Sequence, residues 1–231
     1  MSQDTSRPTN LFARISERIE RTADKYVHFP FESHQRRHNC LFIHIPKTAG
    51  TSVRAAMGTH RVYQRQHFPW FVYRAANRKY FDHAFKFSFV RNPFDRLYSA
   101  YEYLKAGGAG GARDQAAGQV IRGYQDFDDF IYRALHEGEL RSNLHLLPQS
   151  TFIADLCGKV VVDFVGRQET LDQDFALIAQ KLGIAHKAER KNVNRDKHHQ
   201  DYRAAYKSTR SVEIVQNLYI QDLKLFNYSF E

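Results

Sequence analysis

Residues that can bind an anion follow directly on a short apolar run near the start of the chain. The run is CLFIHI (40–45), and Pro46 separates it from the turn KTAGTS (47–52). Such a turn between a strand and a helix can hold a phosphate or sulfate group, because small residues let the backbone approach and the helix N-terminus favours negative charge. The alternative is an ordinary capped turn with its lysine in solvent. The candidate anion-binding residues are Lys47, Thr48, Ala49, Gly50, Thr51 and Ser52.

The order of residues in this turn differs from that of the usual ATP-binding loop. In that loop the lysine follows the last glycine of Gly-x-x-x-x-Gly-Lys-Ser/Thr. Here Lys47 precedes Gly50, and the turn has no earlier glycine. A standard ATPase is therefore disfavoured. An ATP-dependent small-molecule kinase stays open as an alternative, although it would need magnesium and the sequence shows no evident set of acidic ligands for it.

A second polar turn follows a second apolar run, FKFSFV (85–90). Arg91 comes directly after this run. Ser99 lies about two turns into a helix that Pro93 is expected to begin. The forked guanidinium of arginine binds two oxygens of a phosphate, which makes it well suited to a dianion. Arg91 and Ser99 are therefore predicted to form a second anion-binding site.

Two further arginines have less specific surroundings. Arg96 lies on the same predicted helix as Ser99, where it could bind an anion, but pairing with Asp95 or Glu102 on the surface is the favoured interpretation. Arg167 follows a third apolar run and is expected to face either the cleft or a carboxylate such as Glu169.

Apolar runs alternate with helical patterns along the chain, which predicts a three-layer α/β fold with a mostly parallel sheet flanked by helices. Ligands of such sheets bind beyond the carboxyl ends of the strands, where both polar turns lie. The predicted strands are 40–45, 85–90 and 159–166, and the predicted helices are 51–57, 68–80, 93–104, 127–136, 169–184 (ended by Gly183) and 212–225.

The remaining segments are assigned as an arm and loops. Residues 1–39 are predicted to form a polar N-terminal arm with one amphipathic helix at 11–26, and residues 40–231 a single domain. The run KAGGAGGARDQAAGQ (105–119) predicts a flexible connector or a lid. The basic stretch 186–200 is either a solvated loop or one that closes over a nucleotide. Its candidate contacts are Arg190, Lys191 and Arg195.

Composition narrows the class of protein. Of 231 residues, 42% are hydrophobic, and we see neither a membrane-spanning run nor a secretory signal, so a cytoplasmic location is expected. The formal net charge of +9 favours an anionic partner. Nucleic acid is not expected, because the aromatic residues at 67–81 are better used in a pocket or core than as a base-stacking face. Cys40 and Cys157 lie outside any metal-ligand spacing and are expected to be reduced and mostly buried, with a disulfide between them as the alternative.

The two turns together resemble a known family, the sulfotransferases that use 3′-phosphoadenosine 5′-phosphosulfate (PAPS). IPKTAGTS (45–52) is similar to their 5′-phosphosulfate loop, and FVRNPFDRLYSAY (89–101) is similar to their 3′-phosphate motif. LLPQSTFI (146–153) and VDFVGRQETLDQDFALIAQKLGI (162–184) resemble the carbohydrate-type, sulfotransferase family 2-like branch. The likeness spans about 40–228 and implies a P-loop-NTPase-like sulfotransferase fold.

The resemblance also implies roles for the two turns. Residues 47–52 would cradle the 5′-phosphosulfate, and Arg91 with Ser99 would hold the 3′-phosphate. Lys47 would neutralise charge on the leaving oxygen. PAPS would be the donor and 3′-phosphoadenosine 5′-phosphate (PAP) the product, and no metal is expected. A domain that binds the nucleotide without turnover is a further alternative.

Transfer to a hydroxyl group needs a general base, and several histidines compete for that role. His67 lies close to where the carbohydrate-type branch carries its catalytic histidine, and His145 precedes a stretch that resembles a substrate-pocket segment of that branch. His44 is expected to be packed in its strand, and His198 and His199 to lie on the surface. The acceptor implied by the resemblance is a carbohydrate or glycolipid, and a small metabolite stays open.

Overall fold

The computed structural model describes residues 27–58, 67–184 and 201–230, and also Ser16, Ile19 and Thr22. Its strands are β1 (Cys40–Ile43), β2 (Phe85–Val90) and β3 (Phe164–Arg167). Within these ranges the α-helices are α1 (Ser33–Arg37), α2 (Gly50–Ala56), α3 (Trp70–Ala76), α4 (Arg78–His83), α5 (Pro93–Lys105), α6 (Ala112–Arg122), α7 (Phe127–Phe130), α8 (Ser150–Ile153), α9 (Leu171–Leu182), α10 (Thr209–Leu218) and α11 (Ile220–Phe226). A π-helical segment, Ile131–His136, continues α7, and a 3₁₀ turn, Tyr202–Ala205, precedes α10.

The three described strands form one parallel sheet in the order β1–β2–β3. Phe42 pairs with Phe87, and Phe87 pairs with Phe164. Because the strands are parallel, the turns after β1 and β2 leave the sheet at the same edge, which brings the chain after His44 near the chain at Arg91. The predicted α/β fold with a parallel sheet flanked by helices is confirmed.

Both faces of the sheet are covered by helices. On one face Cys40 and Phe42 pack against α2 and α9, and on the other Leu41 and Ile43 pack against α3, α4, α8 and α11. A strand buried on both faces must be apolar throughout, which explains the uninterrupted run in β1. The helices bring to the sheet Val53, Phe175, Ile178, Tyr73, Phe81, Phe152 and Phe226.

A separate apolar cluster holds α5, which begins at the second polar turn. Its buried side chains, among them Leu97 and Tyr101, pack with residues of α6, α7 and α10 such as Ile121, Phe130 and Val215. The cluster fixes the axis of α5 and therefore the direction in which its polar face points. The predicted helix 127–136 is confirmed as α7 and its π-helical continuation.

The run 105–119 is only partly the loop that its composition predicted, because α6 begins within it at Ala112. Alanines and buried Ile121 favour the helix. Gly118 is tolerated inside α6 because the helix crosses close to α5: a Cβ at Gly118 would lie 2.5 Å from the carbonyl oxygen of Leu104. The connector is therefore a short glycine turn followed by a packed helix.

Two other elements have limits that differ from the prediction. Of the predicted strand 159–166, only the part from Phe164 belongs to the sheet, and β3 continues to Arg167. The predicted helix 68–80 is divided into α3 and α4 at Asn77, whose backbone is extended (φ −155°) and whose side chain caps the N–H of Tyr80. A local Asn cap thus overrode a continuous helical pattern.

The C-terminal helices follow the prediction more closely. The predicted helix 169–184 is α9, and Gly183 ends it with a left-handed φ of 64°. The predicted terminal helix 212–225 is two helices, α10 and α11, which meet at Tyr219. The amphipathic helix predicted at 11–26 lies outside the described residues, except for three positions that are helical.

Both cysteines are free thiols, but only one is buried as expected. Cys40 is buried in β1, and burial raises its pKa to about 12, which makes it unreactive. Cys157 is exposed. In the described part of the chain, no helix is long and apolar enough to cross a membrane.

Candidate functional site

The first polar turn has an uncommon backbone. Lys47 and Ala49 both have left-handed φ angles, 69° and 64°, although neither is glycine. Such residues are several-fold rarer in this region than glycine, and short turns of this kind direct backbone N–H groups toward an anion. Thr48 is fully buried, and its hydroxyl donates to the carbonyl oxygen of Ile45 (3.0 Å). Thr48 therefore stiffens the turn with its side chain and can donate to an anion only through its backbone N–H.

Gly50 begins α2 with the ring of His44 against its Cα. A Cβ at this position would lie 1.9 Å from His44 Nε2, so only glycine fits while the ring is in place. His44 is buried and stacks on Phe42 with ring centroids 5.4 Å apart. The histidine is packed, as predicted, and its packing shapes the first polar turn.

The structure brings the second polar turn into contact with the first. Arg91 Nη1 lies 3.4 Å from the carbonyl oxygen of Lys47. The same guanidinium makes a two-pronged pair with Asp95, in which Nε and Nη2 each donate to a carboxylate oxygen at 2.7 Å. The pair is about four-fifths buried. Asp95 therefore fixes the plane of the guanidinium beside the Lys47 turn.

A series of hydrogen bonds connects the turn at Arg91 to the C-terminal helix α11. The backbone of Arg91 exchanges two hydrogen bonds with the side-chain amide of Gln149 (2.9 and 2.8 Å). The backbone N–H groups of Gln149 and Ser150 both donate to the buried carboxylate of Asp222 (2.7 and 2.8 Å). The position of Arg91 thus depends on a residue of α11.

Arg96 does not lie on the surface, and its predicted pairing with Asp95 or Glu102 is wrong. Its side chain is fully buried and donates to the carbonyl oxygens of His145 (3.2 Å) and Leu147 (2.6 Å). Asp95 is instead taken by Arg91. A guanidinium offers five donors in a fixed plane, which suits it to hold a segment that has no regular hydrogen bonding of its own.

Arg167 is held by the C-terminal segment. It donates to the carbonyl oxygen of Phe226 (2.6 Å) and stacks on the ring of Tyr228, 4.5 Å from the centroid. Tyr228 in turn donates to Glu169 (2.8 Å). The expected link between Arg167 and Glu169 is therefore made through a tyrosine.

His67 and His145, the two candidate bases, are neighbours in the structure. Both are buried, and their ring centroids are 6.0 Å apart. His67 Nδ1 lies 2.9 Å from the carbonyl oxygen of His44. Because a carbonyl can only accept, Nδ1 must carry the proton, and in the neutral ring the lone pair is on Nε2.

His145 has a different partner. Its Nε2 lies 3.6 Å from Asp114 Oδ1, an ion-pair distance rather than a hydrogen bond. Its ring packs on Tyr103 with centroids 5.0 Å apart, and the ammonium of Lys47 lies over the same tyrosine ring, 4.2 Å from the centroid. Lys47 and both histidines therefore share one small region at the carboxyl edge of the sheet.

Two residues of this region were missed from the sequence. Positions 91, 95, 99 and 103 are each four residues apart, which is the spacing of neighbours on one face of a helix. The two predicted residues in this series, Arg91 and Ser99, would therefore have led to Tyr103. Asp114 gave no signal, because it stands alone in a run of small residues.

The remaining predicted residues are placed less specifically. Thr51 is exposed, and Ser52 and Ser99 are half-buried. The basic residues proposed for the loop at 186–200, together with His198 and His199, lie outside the described residues. Within the described ranges, no group of three or more His, Cys, Asp or Glu side chains is arranged to hold a metal ion.

Comparison with known proteins matches most of the chain to one family. The model of the Sulfotransferase family matches residues 34–229. Carbohydrate sulfotransferase 14 of Danio rerio is 31% identical over 117 residues, which are 44% of this chain and 30% of that protein. An uncharacterized protein of Archaeoglobus fulgidus is 28% identical over 115 residues, 50% of this chain and 81% of its own length. No solved structure matches. Because the family match covers well over half of the residues, this chain belongs to the sulfotransferase family.

Proposed function

We propose that the protein transfers a sulfuryl group from PAPS to a hydroxyl group of an acceptor. The observation that carries the proposal is the contact between the two anion-binding turns, in which Arg91 Nη1 meets the carbonyl oxygen of Lys47 at 3.4 Å. PAPS carries anionic groups at two separated positions, and two adjacent turns can bind one group each. Membership of the sulfotransferase family supports the same reaction.

The residues of the turns fit this donor. The left-handed backbone at Lys47 and Ala49 gives the first turn a shape that is typical of anion sites, and Gly50 lets the packed ring of His44 lie against the start of α2. We assign the 5′-phosphosulfate to residues 47–52 and the 3′-phosphate to Arg91 with Ser99. When bound, PAPS would supply the sulfuryl group to the acceptor oxygen, and PAP would be the leaving group. Lys47 then stabilises the negative charge that develops during transfer.

His67 is the general base in this proposal. Its hydrogen bond to the carbonyl oxygen of His44 selects the tautomer with the lone pair on Nε2, which is the form that can take a proton from a hydroxyl group. The same hydrogen bond holds the ring in one orientation. The Asp114 carboxylate beside His145 favours the imidazolium form of that ring, and a ring that already carries the extra proton cannot take one from the hydroxyl group.

The acceptor that we propose is a hydroxyl of a carbohydrate or glycolipid. The support is the branch resemblance together with the similarity to a protein named carbohydrate sulfotransferase 14. A net charge of +9 also favours an acidic glycan over a neutral one. Transfer of label from PAPS can be measured with neutral oligosaccharides, acidic oligosaccharides, small alcohols and phenols. We expect the acidic oligosaccharides to be the best acceptors.

Calorimetry tests the donor assignment. We expect PAP to bind without added metal and ATP with magnesium to bind more weakly. Arg91→Ala should weaken PAP binding by about 10- to 100-fold, the value of one or two charge-assisted hydrogen bonds. Arg74→Ala, an exposed arginine of α3, is the matched control and should leave PAP binding unchanged. Tight binding of ATP alone would overturn the proposed function, and unchanged PAP affinity in Arg91→Ala would overturn the site assignment.

A further inference from the structure

The carboxylate of Asp114 lies at the point where α6 meets the candidate site. We propose that Asp114 is a positioning residue for sulfuryl transfer, which keeps His145 in its protonated form and orients Tyr103, the ring over which the Lys47 ammonium lies. The inference rests on the proposed function and adds to it a division of roles between the two histidines.

Both oxygens of Asp114 are engaged with the site. Oδ2 accepts from the hydroxyl of Tyr103 (3.1 Å) and from the backbone N–H of Ala109 (3.2 Å), and Oδ1 lies 3.6 Å from His145 Nε2. The side chains of Asp114 and His145 are 15% and 7% exposed. One buried carboxylate thus joins the glycine turn, α5 and the segment of His145.

The glycine turn before α6 is built around this carboxylate. Gly107, Gly108 and Gly110 all have positive φ angles, which turn the chain back along α5. A Cβ at Gly108 would lie 2.3 Å from Asp114 Oδ2, so the turn passes closely over the acid. The small residues that predicted a flexible connector or a lid therefore place Asp114 at the site.

Burial and charge have opposite effects on His145. Burial disfavours an imidazolium, whereas a carboxylate within about 4 Å favours it. Other titratable or charged groups beside His145 include Tyr103 from α5, His67, and Arg96, which donates to the carbonyl oxygen of His145. Lys47 lies over the same Tyr103 ring. The negative charge of Asp114 offsets the charges of these two cations. His67 then acts as the base while His145 and Lys47 supply positive charge.

Histidine-labelled protein tests the protonation state directly. NMR titration of the His145 ring should show an imidazolium at pH 7 in the unmodified protein. In Asp114→Asn the midpoint of this titration should move to lower pH. Asp172→Asn is the matched control, because it removes an exposed acid from the first turn of another helix, α9, with the same change in charge. A neutral His145 at pH 7 in the unmodified protein overturns the proposal without any variant.

Kinetics test the consequence for transfer. Asp114→Asn should lower kcat by about 10- to 100-fold through misplaced side chains, with PAP binding retained. Asp114→Glu should restore part of the loss, and Tyr103→Phe, which keeps the ring under Lys47, should lose less than Asp114→Asn. If Asp114→Asn is as active as Asp172→Asn while PAP still binds, this inference fails and the proposed function stands. If PAP does not bind to the unmodified protein, the proposed function itself fails.

Discussion

His67 and His145 are the same residue type within one small region, but each ring faces a different group. A backbone carbonyl accepts from His67 Nδ1, which fixes the tautomer of that ring when it is neutral, whereas the Asp114 carboxylate lies beside His145 and favours its cation. Partners of this kind, rather than residue type, separate an acid from a base in an enzyme site.

The proposed role of His67 as the general base predicts the behaviour of His67→Asn. The asparagine amide can still donate to the carbonyl oxygen of His44, but it has no basic nitrogen. We expect kcat to fall by about 10²- to 10⁴-fold, the usual value of a general base, with PAP affinity unchanged. Turnover at saturating substrates and PAP calorimetry are the measurements. His83→Asn, an exposed histidine of α4, serves as the control.

Undiminished kcat in His67→Asn would assign the base to another residue. If His145→Asn alone abolished turnover and His67→Asn did not, the roles of the two histidines would be reversed.

The strand–turn–helix unit from β1 to α2 depends on a fit between two of its own residues. The ring of His44 occupies the space that a side chain at Gly50 would need. Through this contact the end of a strand determines where the backbone of the following helix begins.

Gly50→Ala should therefore damage both the fold and the site. The added methyl meets a buried ring, and overpacking of this kind costs about 1–3 kcal/mol in the free energy of unfolding. We also expect weaker PAP binding, because the turn must move. Urea unfolding and PAP calorimetry check the two effects. Gly111→Ala is the control, since nothing lies within 4 Å of a Cβ at that position. Equal stability and affinity in the two variants would contradict the fit.

The irregular segment 145–147, which includes His145, is held in place by side chains of neighbouring elements. Its three successive carbonyl oxygens accept from Arg96 of α5, from Tyr219, and again from Arg96. Burial raises the pKa of Tyr219 to about 12, so its hydroxyl remains a donor at neutral pH. The backbone of 145–147 is thus held by two fully buried side chains.

Across the molecule, the C-terminal helix α11 supports the second polar turn, at Arg91, through a series of hydrogen bonds. Asp222 binds the N–H groups of Gln149 and Ser150, and the side chain of Gln149 binds the backbone of Arg91. The Sulfotransferase family match extends to residue 229 and includes this support.

Asp222→Asn tests this long-range support. The amide group cannot accept from both N–H groups, so a buried donor loses its partner and the free energy of unfolding should fall by about 1–3 kcal/mol. PAP binding should weaken as well, because Arg91 loses its fixed backbone. Urea unfolding and calorimetry measure the two effects. Asp82→Asn, a half-exposed acid of α4, is the control. Full PAP affinity in a destabilised Asp222→Asn protein would show that α11 supports the fold alone.

Local patterns in the sequence were sufficient where neighbouring residues decide the structure. The apolar runs before Lys47 and Arg91 predicted β1 and β2, and the spacing after Pro93 predicted α5. Arg96 was assigned wrongly, because helical spacing shows which face a residue occupies but not whether other elements cover that face.

The sequence by itself determined the α/β class, the two polar turns at the ends of parallel strands, and the short group of histidines that contains the candidate base. These follow from residues close together in the chain, where composition and period act directly on the backbone. Only the tertiary structure decided that Arg91 meets the Lys47 turn, that Arg96 holds His145, and that Asp114 lies between His145 and Tyr103. Those contacts join segments far apart in sequence, and the packing of α5 and α6 beside the sheet, rather than any local pattern, brings them together.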